Sequence, residues 1–430
     1  MVVRIEDGYY ASLPQIREIL AEIRTAKHKT FPTDHNHTIY FNNSEHEVPF
    51  GVSVRGRRYS SHEFDGNLSH DGEWIFDVKR DFIYPPFRLT KKESQALTLK
   101  EIMQKVSTDA ICGNASQLFP YCADSYRRKH FQVGNDEDFL ITVDDNIKYY
   151  FFEQPLQAIP IGEEGSVRME IKVPLSRMGS KEFNTIQRIL NEKGAEPTIS
   201  RQDMLYNLIT AHICSKANAY HNRSDTEIEA KLSLTGDDQS VFQMIKDDFM
   251  HGLLPGFSIP DTFSYTLEGG GLQRYITGLE GKSLRLSIRG GSKSVTSKGI
   301  SKVEDDNFGL RCIVKRSEIE EQFNDSLLSL PSMMLYKKRK EFVVRNNTTG
   351  TSYCISMDRC TSGYKELYQI EVEGLLLAPS NDEEKKLVND IACLAKILIW
   401  RYPELKPTAL SKFEWLKGAY TKKTILTISF

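Results

Sequence analysis

Acidic and basic side chains recur at every second position in several short stretches, a spacing that places them on one face of a β-strand. In TEIEAKLSL, Glu227, Glu229 and Lys231 share one face while Ile228, Ala230 and Leu232 share the other. QIEVEG sets Glu371 and Glu373 against Ile370 and Val372. LRLSIRG carries Arg285 and Arg289 in the same way, RCIVKR carries Arg311 and Lys315, and YKKRKEF carries Lys337 and Arg339. Two carboxylates two residues apart offer hard oxygen donors to a divalent cation, and a neighbouring ammonium can neutralise a phosphate on that cation. A charged, solvent-facing edge strand is the plain alternative for any one of these segments, but it does not account for five of them. Crowded like charges repel, so five such strands make sense when they close on one lumen that a polyanion and a cation complete.

Strands of this kind must be held by a scaffold, and the rest of the chain supplies its signals. Ser12, Pro14 and the apolar series Ile16, Ile19, Leu20 and Ile23 predict a capped amphipathic helix after a short first strand. Alternating segments follow in HTIYF, VSVRGRRY, EWIFDVKR, RKHFQV, DFLITVD, IKYYFF and SVRMEIKV, with a helix expected from Lys92 to Val106. The stretch from Ser180 to Ala217 reads as helical, and the polar run ANAYHNRSDT then breaks the pattern. The second half repeats the plan and ends in a helix from Ser380, where Glu383 completes a capping box and Leu387, Ile391, Leu394 and Leu398 form a stripe. The expected fold class is α+β: two tandem antiparallel β-barrels flanked by helices, residues 1–217 and 226–430.

Length agrees with two domains, because 430 residues exceed the size at which a single core stops growing. The 56 Lys and Arg residues nearly balance the 58 Asp and Glu residues. No global basic field therefore recruits nucleic acid or a membrane surface, and any anion site must be local. Seven dispersed cysteines without CxxC spacing argue against a disulfide framework or zinc site. With no signal-like N-terminus and no apolar run long enough to span a bilayer, the expectation is a cytoplasmic protein.

From Thr226 onward, EIEAK, LRLSIRG, the KG segment at Lys298, KKRKEF, ISMD and IEVEG together resemble the CYTH domain of triphosphate tunnel metalloenzymes. The resemblance implies a tunnel in which Glu227, Glu229, Glu371 and Glu373 hold Mg2+ or Mn2+ with Asp358 nearby. It also implies that Lys231, Arg285, Arg289, Lys298, Lys337 and Arg339 meet phosphates, with Arg311 and Lys315 as further contacts and Lys412 of SKFEW closing the tunnel. The chain departs from the pattern at RCIVKR, where many relatives place acidic residues beside the central arginine; this bears on metal count and substrate charge. The first half is similar to the VTC domain of polyphosphate polymerases, through TIYFNN, VRGRRY, FDVKR, YRRKHF, LITVDD and RMEIKV. That likeness implies phosphate contacts at Arg55, Arg57, Lys79 and Arg128 and a metal ligand at Glu170. Here VVRIEDGYY has Glu6 and Asp7 but no lysine at the family's position, and no SKF-type lysine closes this half.

The implied partner is a nucleoside triphosphate or polyphosphate, and the implied activity is metal-dependent transfer of a phosphoryl or nucleotidyl group. A triphosphatase, or a nucleotide-sensing module with a silent tunnel, is the alternative. Other signals are set aside. GLEGKS lacks the strand-to-helix context of a phosphate loop, EGGGL reads as a turn, and His35 and His37 have no third ligand nearby.

Overall fold

In the computed structural model, the residues described are 4–421, except 24, 28–33, 44–45, 47, 69–72, 85–86, 110, 112–116, 134–135, 155, 218–225, 236–239, 261–265, 280–281, 290–291, 300–301, 305–307, 325–326, 328–331, 364 and 376–379. They divide into two compact units, Met1–Ile209 and Thr210–Lys423.

The first unit contains β1 (Arg4–Ala11), β2 (Asp34–Asn42), β3 (Val52–Ser60), β4 (Glu73–Tyr84), β5 (Phe87–Thr98), β6 (Phe119–Val133), β7 (Asp136–Gln154) and β8 (Val167–Pro174). Every neighbouring pair is antiparallel, in the order β6-β2-β3-β4-β5-β1-β8-β7, and pairing of β7 with β6 closes the ring. The second unit repeats this with β9 (Thr226–Leu234), β10 (Leu267–Leu279), β11 (Lys282–Arg289), β12 (Ser292–Lys298), β13 (Ile313–Glu321), β14 (Ser332–Asn346), β15 (Ser352–Ser362) and β16 (Lys365–Gly374). Its order is β13-β12-β11-β10-β14-β15-β16-β9, closed by β9 on β13. The chain is thus a tandem of closed eight-stranded antiparallel barrels. A ring of eight strands leaves an interior about wide enough for side chains or one small ligand.

Apolar residues cover the barrels' outer faces, where the helices pack. Ile228, Ala230, Leu232, Ile370 and Val372 are all buried, each large one contributing roughly 1.5–3 kcal/mol by leaving water. Helix α6 (Asn381–Arg401) starts at the Ser380–Glu383 capping box and buries Leu387, Ile391, Leu394 and Leu398, as its periodicity predicts. The other helices are α1 (Leu13–Ile23), α2 (Leu99–Thr108), α3 (Lys181–Glu192), α4 (Arg201–Ala217), α5 (Ser240–Met250) and α7 (Lys412–Thr421). No helix among the described residues is long and apolar enough to cross a membrane.

Two expectations shift. The helix expected from Lys92 begins only at Leu99, because residues 87–98 pair in full register with β4 and Thr98 caps the helix; Lys92 therefore lies on a strand. The helical stretch from Ser180 is two helices, separated by the short strand Glu196–Pro197 on β1.

Candidate functional site

Alternation in the second barrel turns the charged residues inward. On β9 and β16, Lys231 lies opposite Glu371 and Glu229 opposite Glu373, so three carboxylates and an ammonium share one inner patch. All four side chains are buried. Lys231 Nζ donates to Glu371 at 2.9 Å, and Arg339 and Lys412 each reach Glu371 at 2.6 Å. Arg339 also grips Asp358 through two hydrogen bonds of 2.6 and 2.7 Å, and Lys412 lies 2.7 Å from the same carboxylate. Lys337 stands 3.6 Å from Asp358. On the adjoining strands, Arg285 donates to Glu318 at 2.5 Å, Lys298 meets Glu318 at 2.6 Å and Glu227 at 3.3 Å, and Arg316 bonds Glu227.

The electrostatics follow from burial acting against neighbours. Burial opposes ionisation of Glu371, yet Lys231, Lys412 and Arg339 outweigh it and hold its carboxyl well below the usual range. The same contest, won by Arg316 and Lys298, lowers Glu227, and Arg339 and Lys337 lower Asp358. Burial and the nearby Arg285 pull the Lys298 ammonium down to about 8. Glu229 differs from the others. It is 1% exposed, and Lys231 and Arg316 lie 2.6 and 2.9 Å from its Oε1. Oε1 is held by these two ion pairs, while Oε2 has no donor, so this carboxylate keeps unused acceptor capacity at Oε2.

Of the residues expected in this tunnel, Glu227, Glu229, Lys231, Arg285, Lys298, Lys337, Arg339, Asp358, Glu371, Glu373 and Lys412 share the inner face. Lys315 does not: β13 pairs Ile228 with Lys315 and Glu227 with Arg316, so Lys315 points outward and bonds Glu384 of α6. Arg311 precedes the strand, exposed and with φ 52°. Arg289 lies opposite Ser292, and its side chain is outside the described residues. Arg316 and Glu318 occupy the lumen instead, so an acidic residue does stand beside the central arginine. The KRSE alternation one step along carried that signal.

In the first barrel, Arg55, Arg57, Lys79, Arg128 and Glu170 all line one cavity of about 420 Å³. Its charge is shared thinly. Arg55, Arg57 and Lys92 converge on the single carboxylate of Asp77 at 3.4, 2.5 and 3.1 Å. Arg128 clamps Asp144 with two bonds of 2.6 Å and reaches Glu170 at 3.6 Å, which Lys172 approaches at 3.1 Å. Lys79 lies between Glu6 at 2.7 Å and Asp81 at 3.3 Å. Sequence reading missed Lys92, read as helix, and Arg201, the first residue of α4. Arg201 enters this lumen to bond Asp144 and lies 3.1 Å from Asp124. TISRQD places Arg201 after a capping serine, as ALSKFE places Lys412, and that parallel was the available signal.

Among the described residues, no group of three or more His, Cys, Asp or Glu is gathered in metal-holding geometry. The donor chemistry of the second lumen nonetheless fits a hard cation: buried carboxylates, one of them, Glu229, with an Oε2 that has no donor.

No family model matches the chain, and no curated protein matches it. Solved structures do. A Hippeastrum protein, described as a candidate adenylyl cyclase with a dominant triphosphatase activity, aligns at 12% identity and a TM-score of 0.30, over 46% of this chain and 92% of its own. A capping-enzyme triphosphatase from Mimivirus aligns at 11% and 0.28, over 46% and 98%. An RNA triphosphatase from S. pombe aligns at 11% and 0.28, over 47% and 92%. Each alignment takes in less than half of this chain.

Proposed function

We propose that the second barrel is the active site of a metal-dependent enzyme that acts on a nucleoside triphosphate or polyphosphate, moving a phosphoryl or nucleotidyl group. With water as the acceptor, the same site is a triphosphatase. The observation that carries this reading is the buried inner patch of Glu229, Lys231, Glu371 and Glu373, flanked by Arg339, Lys412 and Arg316. Both signs of charge are packed there, and Glu229 Oε2 has no donor.

In this reading Glu227, Glu229, Glu371 and Glu373 would hold Mg2+ or Mn2+, which when bound neutralises phosphate charge. Lys231, Arg285, Arg289, Lys298, Lys337, Arg339 and Lys412 orient the phosphate chain and stabilise charge as the bond to the leaving oxygen breaks. Asp358 fixes the Arg339 guanidinium and the Lys412 ammonium. Phosphoryl and nucleotidyl transfer need positioning and electrostatics more than covalent chemistry. Arg316 takes the place that Lys315 held in the sequence reading.

The test is to incubate the protein with each nucleoside triphosphate and Mg2+ or Mn2+ and resolve the products. Orthophosphate, pyrophosphate, a phosphate polymer, or a cyclic or linked nucleotide each names a reaction. Glu229→Gln is expected to lower turnover on the order of 10²-fold or more, the scale of losing one transition-state stabiliser. Unchanged turnover and unchanged triphosphate binding in that variant would remove the second barrel as the site.

A further inference from the structure

Pairing register lets the two lumens be compared position by position. In the first barrel β1 and β8 set Gly8 opposite Glu170 and Glu6 opposite Lys172; in the second, β9 and β16 set Lys231 opposite Glu371 and Glu229 opposite Glu373. Arg4 lies opposite Thr90, as Glu227 lies opposite Arg316. Glu170 therefore corresponds to Glu371 and Glu6 to Glu229. Arg4, Lys172 and Lys92 replace the carboxylates Glu227, Glu373 and Glu318. The clamp is kept, since Arg128 on Asp144 matches Arg339 on Asp358, and Arg201 matches Lys412 at the start of the closing helix.

We infer that the first barrel is a metal-independent receptor for a multiply charged phosphate anion, a binding site distinct from the reaction centre of the second barrel. Two of the carboxylates that would hold a cation, Glu227 and Glu373, and a third beside them, Glu318, have cationic counterparts here, so the lumen has exchanged metal-binding capacity for anion-binding capacity. Eight arginine and lysine residues and two glutamates line its 420 Å³ cavity, a size within the roughly 300–1,000 Å³ of small-molecule sites. The unsatisfied groups agree. Arg168 is 2% exposed, and neither Nε nor Nη1 has a hydrogen-bond acceptor. The Nε atoms of Arg55 and Arg201 also lack one, although both lie near carboxylates. These three arginines line one adjoining hollow. Buried donors without acceptors are costly, and phosphate oxygens supply acceptors in the planar, bidentate geometry that guanidinium prefers. The second lumen contrasts with this in an acceptor without a donor, Glu229 Oε2.

The experiment is calorimetric titration of the full chain with inorganic tripolyphosphate in excess EDTA, repeated with ATP to separate a free phosphate chain from a nucleotide. Binding is expected without metal. Lys92→Met and Arg168→Met are each expected to weaken it at least tenfold with folding intact by circular dichroism, while Glu229→Gln leaves it unchanged. The double variant Arg4→Glu with Lys172→Glu is expected to make binding metal-dependent. Absence of binding in EDTA overturns the inference, as does metal-free binding lost in Glu229→Gln but kept in Lys92→Met. Metal-dependent turnover is measured separately, so a failure here leaves the activity assigned to the second barrel standing, and the reverse.

Discussion

Replacing Glu371 by glutamine removes one negative charge from the point where three cations converge, Lys231 buried and Arg339 and Lys412 largely so. The carboxylate is 3% exposed and lies 2.9 Å from Lys231, 2.6 Å from Arg339 and 2.6 Å from Lys412. Breaking a buried ion pair by removing one partner costs about 3–5 kcal/mol, since the partner's charge stays desolvated. Asp358 still serves Arg339 and Lys412, and Glu229 still neighbours Lys231. The lower end of the range, about 3 kcal/mol, is therefore expected. For a unit of about 200 residues, each kcal/mol moves the midpoint by about 2–4 °C. The transition of the second unit should fall by roughly 6–12 °C, read by calorimetry or circular dichroism. Glu384→Gln is the control: its pair with Lys315 is half-exposed on the outer face and is worth about 0–1 kcal/mol, so its shift should stay within a few degrees. Added tripolyphosphate should raise the Glu371→Gln midpoint more than the wild type's, because the freed cations donate to phosphate oxygens. Equal shifts in the two variants would mean that Glu371 faces water, and the charged-lumen account would fail.

Register supplies a sharper comparison: Arg316→Ala should cut turnover on the order of 10²-fold or more while Lys315→Ala leaves it near wild type, and the reverse result would place β13 one residue out of phase. Glu371, Glu227 and Asp358 titrate below their unfolded values, so the stability they contribute is present above about pH 4 and is lost as pH falls through their folded values; acid midpoints of Glu371→Gln and wild type should converge there. Lys92 behaves oppositely. Burial, then Arg57 and Arg55, pull it down to about 7, with Asp77 opposing, so tripolyphosphate binding to the first barrel should weaken as pH rises through about 7 and draw a proton into the site. Calorimetry in buffers of different ionisation enthalpy measures that proton, and Lys92→Met should abolish it.

The two-barrel fold was legible because antiparallel strands write their alternation locally. Glu227, Glu229 and Lys231 against Ile228, Ala230 and Leu232 need no distant partner to be read as two faces, and the Ser380–Glu383 box marks a helix start within four residues. Which residues of a strand face inward is a different matter when charges stand at adjacent positions. Lys315 and Arg316 are both cations, and only hydrogen bonding to β9 decides that Arg316 turns inward, because a shift of one residue exchanges the faces. Lys92 read as helical because Lys, Glu, Gln, Ala and Leu favour helices, and pairing with β4 overrode that preference. Arg201 carried only the faint signal of a serine before a cation. Its entry into the first lumen depends on where α4 begins relative to the closed ring, which long-range packing sets. Local alternation thus identified the charged strands, whereas ring closure decided which charges meet and so left a buried acceptor unsatisfied in one lumen and buried donors unsatisfied in the other.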